Sequence, residues 1–500
     1  MILQINHSQK SPAALAAAEV VQTLCTLLEE GHLEPRQFAH LRVHLDWIQY
    51  KNNFREPVSI ARQVSSGSPR DASAIGDIHV NTRQLSPEIL REQILRAIAC
   101  AAPNYAQVPL PTHETAVPGT TRCSNRLPLE DFRSFRHSIA WDFNRLYWHK
   151  LTDWERATGR GYEQALPGGK SDANHPEAVA HGVADFWTLL KDLDSHQQLP
   201  PEIFVLEIGV GLGTRAKLWL DAFRNLDRER ATNYYPRLKF LLADYSLATL
   251  ERSRPAVRDH LDACSFLVLD ALNPLKTLSF LRHKILHIHL TNVYDNLPDE
   301  ELARRDGRLY LVEVRAYLPA TDAAGLSAEF SIPVEDLRKN VDRLLEVGPD
   351  FFHDHPRGVA FWRQVWSALR LQERLAPLDT IATDTLPEGW NVARLEEVLQ
   401  DAPSDLRIHL STGAMESFRN TLPLLRPRGY LQVQDIFVTD LNDYRMGFYG
   451  PGKLDGSIVN WVNGVFLREV AERAGYDVHF APFHYRPASR TSVLYTTQRE

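Results

Sequence analysis

The feature that most constrains this chain is a change of rhythm at residue 203. From there, short apolar runs end in turns and are separated by helical stretches. Residues 203–209 form the first run, and 238–246, 265–271 and 285–291 follow it. Residues 406–412, 430–437 and 492–497 add three more, with a helix over 465–474 that Gly475 terminates. Short apolar runs of this kind fit strands buried on both faces, with helices as crossovers between them. The expectation is an α/β fold on a doubly wound sheet. Residues of about 315–405 interrupt that order with mostly helical sequence. A structureless loop of such length is at odds with a compact domain, so the stretch reads as a mostly helical insertion.

The first run ends in Val205-Leu206-Glu207-Ile208-Gly209-Val210-Gly211-Leu212-Gly213-Thr214. Glycines after a first strand let a ligand approach the backbone at a helix N-terminus. The third glycine is Gly213, and Thr214 fills the slot where a dinucleotide fingerprint needs glycine. Glu207 sets a carboxylate at the strand end, where it repels a pyrophosphate and holds an ammonium group. Both details speak against a nicotinamide oxidoreductase. Two more acids close later strands: Asp244 after the second, and Asp270, followed by Ala271, after the third. Asp244 lies farther from the first strand than the roughly 20 residues usual for a nucleotide crossover. The polar stretch 225–237 supplies the extra length.

This run resembles the first motif of class I S-adenosylmethionine-dependent methyltransferases, and the resemblance extends over residues 200–500. It implies a Rossmann-like sheet and S-adenosyl-L-methionine as cofactor. Glu207, Gly209, Gly211 and Gly213 would meet its methionine part, Asp244 and Tyr245 its ribose, and Asp270 and Ala271 its adenine. Thr291-Asn292-Val293-Tyr294-Asp295-Asn296-Leu297-Pro298 follows the fourth strand, where that superfamily places active-site residues. Its D-N-L-P ending resembles a segment of the MidA-like methyltransferases, with Asn292 where that family has glutamate. Leu425 to Leu431 resembles the superfamily's L-x-P-G-G-x-L turn and leads to Asp435. Residues 451–457 are similar to a P-G-x-x-D-x-T stretch of MidA-like proteins.

The implied activity is methyl transfer to a protein side chain or a small-molecule nucleophile. Asn292, Tyr294, Asp295 and Asp435 are the catalytic candidates, at the mouths of neighbouring strands. Such a reaction needs alignment of nucleophile, methyl carbon and sulfur, and in some cases removal of a proton. Tyr162 and residues 167–172, just before the first strand, are candidates to close over the cofactor. Glu300 and Glu301 are candidates to hold a cationic substrate. The rival reading is a binding or assembly protein of methyltransferase fold without catalysis.

Upstream, a capped helix is expected from Ser11-Pro12 through Leu28, with Gly31 as terminator. Further helices are expected over 38–50 and 87–101, with a loop over 65–77, making residues 1–103 a helical N-terminal module. Pro103, Pro109, Pro111, Pro118 and Pro128 make residues 104–135 a linker or strap. Residues 136–500 are then one methyltransferase domain carrying the insertion. Trp141, Phe143, Tyr147, Trp148, Trp154, Phe186 and Trp187 are expected to be mostly core.

The 500 residues carry 56 basic and 63 acidic side chains, a net charge of −7, and are 44% hydrophobic. That balance is ordinary for a globular protein and disfavours nucleic acid as partner. Four scattered cysteines offer neither a disulfide framework nor a zinc motif. His353-Asp354-His355 and the pair His287/His289 are candidate metal ligands, but neither has a further ligand at motif spacing, so no metal is expected. No signal peptide or membrane span is legible, and a cytoplasmic location is expected. The apolar helix of residues 12–30 offers a face for a homodimer.

Overall fold

The computed structural model describes residues 1–6, 16–39, 41–46, 53–63, 75–82, 84–101, 126–378, 386–445 and 450–499. It is a mixed α/β protein with two compact units. One comprises residues 1–143, 300–409 and 441–453, and the other residues 144–299, 410–440 and 454–500. The residues that the sequence sets apart as an N-terminal module and an insertion therefore share one unit.

The sheet of the first unit runs in the order Ile2–Asn6, Arg42–Asp46, Ile75–Asn81, Val58–Gln63, Arg370–Pro377, Arg308–Pro319, Glu301–Arg305, Leu406–His409. The helix Ala17–Glu29 buries Val20, Leu24 and Leu27, the i, i+4, i+7 stripe of an amphipathic helix. It packs with Leu90 and Ile94 of the helix Pro87–Ala101 against Val43, Leu45, Ile78 and Val80. Strands here correct the expectation of a purely helical N-terminal region. The helix expected over 38–50 is a short helix Pro35–Ala39 and then the strand Arg42–Asp46. Val43 and Leu45 alternate with polar neighbours, and a period of two won over a length suited to a helix. Residues 47–52, the Ser11-Pro12 cap and residues 65–74 of the expected loop lie outside the described residues. So do residues 104–125 of the strap; its last part pairs with the strand Arg308–Pro319 through Arg126–Pro128 and Arg133–Ser134.

The insertion does carry helices, Ala320–Phe330, Leu337–Val347 and His355–Ala368, but strands of the same sheet flank them. Leu406–His409 is a strand, as expected, yet it pairs with Glu301–Arg305 in this sheet and not in the doubly wound one. His409 and Ile408 find their partners there because Glu301–Arg305 and Arg308–Pro319 form a hairpin that the sequence reading missed.

The large sheet of the second unit has seven strands, here β1 (Ile203–Ile208), β2 (Leu238–Asp244), β3 (Cys264–Val268), β4 (Ile285–Thr291), β5 (Leu425–Asp435), β6 (Tyr476–Pro482) and β7 (Ser492–Gln498). Their order is β6-β7-β5-β4-β1-β2-β3. β1 to β5 are parallel, and β7 is antiparallel to both its neighbours. The helix Thr214–Glu229 packs on the helix Pro176–Ser195, and Phe186, Trp219, Phe223 and Phe240 form the core between these helices and the sheet. Burying one such side chain stabilises the fold by roughly 1.5–3 kcal/mol. Of the aromatics expected inside, Trp148 and Trp187 are only half-buried. From β1 the chain first builds outward to β2 and β3, then returns to place β4 on the other side. The strand order thus reverses between β1 and β4, and in such sheets ligands bind at the carboxyl ends beside that reversal.

Candidate functional site

The glycine loop sits at that reversal. Gly209, Gly211 and Gly213 have φ values of +78°, +53° and +76°, the left-handed region that favours glycine. A Cβ on Gly209 would lie 2.6 Å from Val293 Cγ2, because the loop after β1 packs on the turn after β4. A Cβ on Gly211 would meet nothing within 4 Å, and Gly211 is half-exposed. Thr214 then starts the helix Thr214–Glu229.

Asp244, at the end of β2, turns its carboxylate onto this loop. It accepts from the backbone N–H of Gly211 at 3.3 Å and of Ser246 at 3.0 Å. Burial pushes it up to about 6, against the backbone N–H groups that favour the ionised form. Tyr245 beside it is half-buried, with the His149 ring 4.2 Å away. Burial lowers the His149 pKa, and Arg145 and Lys150 add to that.

Glu207 is buried at the end of β1, and its carboxylate accepts from Arg215 Nη1 at 2.7 Å. Burial raises its pKa and Arg215 pulls it back. The carboxylate thus meets a guanidinium from the helix that the glycine loop begins. Asp270 is exposed after β3, where it accepts from the Leu272 N–H at 2.9 Å, and Ala271 is half-buried in the same turn.

The second cluster lies at the ends of β4 and β5. Asn292 has a φ of +49° and donates its N–H to the Gln434 carbonyl at 3.0 Å. The following turn, Tyr294–Asn296, is anchored by Asp435. Asp435 accepts from the N–H groups of Tyr294 at 2.9 Å, Asp295 at 3.3 Å and Ile436 at 2.8 Å. Burial pushes Asp435 up to about 7, while those backbone donors pull it down. Burial first, and then Asp435, hold Asp295 well above the usual carboxylate range. The two form a buried acid couple in which the charge on one disfavours the charge on the other. Asn296 Nδ2 donates to Asp295 Oδ1 at 2.7 Å. Tyr294 is enclosed and serves through its backbone.

The segment before β1 supplies aromatic rings. Tyr162 lies 4.8 Å from Trp148 and 6.4 Å from Tyr147, ring to ring. Its pKa is raised well above the usual value by burial and then by Asp295, Asp435 and Asp455. Tyr147 donates to Asp455 at 3.3 Å, and Arg160 pairs with Asp455 at 2.7 Å. Sequence reasoning missed Asp455 and Asn144, whose side chain bridges the Asn296 carbonyl (2.9 Å) and the Ile458 N–H (2.9 Å). The P-G-x-x-D-x-T likeness, which contains Asp455, was the available signal for the first. The loop 167–172 does not lie free: Asp172 accepts from Ser489 and Thr491, at 2.5 Å and 2.7 Å.

Glu300 and Glu301 lie in the other unit, and Glu301 there takes both a Nε and a Nη2 donor from Arg407. His287 and His289 sit inside β4, buried. Among the described residues, His44, Asp77 and His79 are spaced as metal ligands. Arg305 already pairs with Asp77, and Arg407 Nη1 is 3.3 Å from His79 Nε2, so guanidinium groups supply the positive charge.

No family model matches the chain, and no curated protein does. It is similar to several solved structures. An uncharacterized COG1565 superfamily protein from Burkholderia thailandensis shares 13% identity, covering 73% of this chain and 87% of the other, with a TM-score of 0.42. A second COG1565 superfamily member from that organism, solved with S-adenosyl-homocysteine, shares 13% over 73% and 88%, with a TM-score of 0.43. Magnesium protoporphyrin IX methyltransferase from Synechocystis PCC 6803, also with S-adenosyl-homocysteine bound, shares 11% over 71% and 97%, at 0.30.

Proposed function

We propose that the chain is a class I, Rossmann-like methyltransferase that uses S-adenosyl-L-methionine and methylates a protein side chain or a small-molecule nucleophile. The observation that carries the reading is Asp244 hydrogen-bonded to the Gly211 N–H, at the point where the strand order reverses. That arrangement presents a carboxylate for ribose hydroxyls beside a backbone that a ligand can approach. The fit is good: the loop is open at Gly211, and Asp244 keeps acceptor capacity beyond its two backbone bonds. Asp270, Ala271 and Tyr245 stand at the ends of the neighbouring strands, where the adenosine would lie. Glu207 contributes through Arg215, as a buried pair that fixes the glycine loop against its helix.

S-adenosylmethionine supplies an electrophilic methyl group on a sulfonium. The residues of the chain bind, orient and take up a proton. Asp435 holds the turn Tyr294–Asn296 in place through the backbone N–H groups of Tyr294 and Asp295, and Asp295 faces the acceptor as the proton-accepting carboxylate. Burial and the neighbouring Asp435 raise the pKa of Asp295 well above the usual carboxylate range, which makes it a stronger base once ionised. Tyr162 adds an aromatic face that favours positive charge.

Calorimetry with S-adenosylmethionine and S-adenosylhomocysteine tests the reading. The wild type should bind both, and Gly211→Arg neither. Absent binding by the wild type, or undiminished binding by the variant, would overturn it. Transfer of a labelled methyl group to a cell extract separates an enzyme from a binding protein of the same fold, which leaves no labelled product.

A further inference from the structure

Asn460 is 3% exposed, yet neither its Oδ1 nor its Nδ2 has a hydrogen-bond partner among the described residues. Its backbone is fixed, since its N–H donates to the Asp295 carbonyl at 3.0 Å. Its neighbour Asn296 shows the same pattern: Nδ2 donates to Asp295, while the buried Oδ1 has no partner. A buried amide without partners is costly and rare, and it is expected where a ligand completes the bonding. Both amides belong to segments that meet Asp295: Asn460 through its backbone N–H and Asn296 through its side chain. Packing does not require this: a leucine has the same number and branching of side-chain heavy atoms as asparagine and would leave no polar atom unpaired.

We propose that Asn460 is a specificity-determining residue that binds the methyl acceptor, with Asn296 Oδ1 as its helper. This rests on the reading of the site as a methyltransferase and adds the acceptor's chemical class. The amides offer one NH2 group, with two N–H donors, and two acceptor oxygens. The acid couple offers a further acceptor and excludes negative charge. The acceptor head is therefore uncharged or basic, and it both donates and accepts hydrogen bonds. A carboxylate or phosphate acceptor is disfavoured by Asp295 and Asp435.

The test uses Asn460→Leu and Asn460→Ala in the full chain, with three readouts. Free of ligand, Asn460→Leu should unfold at a midpoint raised by roughly 2 °C, because it removes unpaired buried amide atoms. Binding of S-adenosylhomocysteine should stay within twofold of wild type in both variants. Labelled-methyl transfer to the acceptors in a cell extract should fall by about 10- to 100-fold in both. A lowered midpoint for Asn460→Leu means the amide has partners within the fold and overturns the proposal. Transfer at the wild-type rate by either variant also overturns it. Wild type that binds no S-adenosylhomocysteine would instead sink the methyltransferase reading. The thermal readout on Asn460 stands apart from that result. If Asn460→Leu does not fold, Asn460→Ala carries the transfer and binding readouts alone.

Discussion

Asp244 is the residue on which pH and ligand binding meet. Its carboxyl sits at about 6 in the ligand-free protein because burial penalises its charge. A ribose diol donates best to the ionised form, so bound ligand lowers that value. Affinity for S-adenosylhomocysteine should therefore be flat above pH 7 and fall by up to about tenfold per unit below pH 6. Asp244→Asn should bind more weakly and without that pH dependence, and calorimetry between pH 5 and 8 decides it. The Asp295–Asp435 couple gives a second, separable signal. A proton-accepting role for Asp295 requires its ionised form, so the transfer rate should rise with pH above the ordinary carboxylate range and then level. Asp435→Asn leaves one oxygen where two served three N–H groups. It should cost about 1–3 kcal/mol in urea unfolding and lower transfer far more than cofactor binding. A rate that is flat from pH 5 to 8 would remove the couple from the reaction.

At the scale of elements, the decisive contact joins the turn after β1 to the turn after β4. Gly209 permits it: any Cβ there meets Val293 at 2.6 Å, on a backbone with φ of +78°. Gly209→Ala should cost roughly 1–2 kcal/mol from the left-handed φ alone, and more from the clash. Val293→Ala added to it should recover the clash but not the φ cost, and S-adenosylhomocysteine binding should track that partial recovery. Full recovery would mean the backbone angle there is tolerated by alanine. The glycines and the strand-end acids were legible because each is a local signal: a residue type at a fixed place in a buried run. Asp435 was legible as a position but not as the acceptor of three backbone N–H groups, which needs β4 and β5 side by side. Asp455 was legible only through the P-G-x-x-D-x-T likeness, and Asn460 was not, since an amide after a turn looks like any surface residue until its burial is known. The strand Arg42–Asp46 failed for a related reason. Its five residues alternate, but flanking Leu41 and Trp47 gave the longer stretch a helical look. Only its parallel neighbours on both sides settle the period.

For the whole molecule, charge is distributed so that acid acts on stability in two opposing ways. His287 is buried in β4, 4.5 Å from the Tyr430 ring, and its pKa is lowered to about 3 by burial and then by Arg215. His289 is lowered as well, by burial, Arg215 and His287. An unfolded histidine takes a proton near pH 6.5, which the folded one refuses. The stability these residues contribute is thus fully present above about 6.5 and is withdrawn as pH falls toward 3. Asp244 works the other way. Its folded value of about 6 lies above the ordinary carboxyl value of about 4, so the folded state binds more protons between them, and its contribution is lost as pH rises through that window. The net slope of the wild type between pH 4 and 6 is a partial cancellation, which single variants resolve. His287→Phe keeps an aromatic ring against Tyr430 and removes one proton site. Its unfolding midpoint should fall less than that of wild type as pH goes from 6.5 to 4.5. Asp244→Asn should show the converse, with a midpoint that drops more steeply over that range. Midpoints measured in ligand-free protein at half-unit steps give both differences. Parallel curves for wild type and His287→Phe would mean that His287 takes up a proton as readily in the folded chain as in the unfolded one.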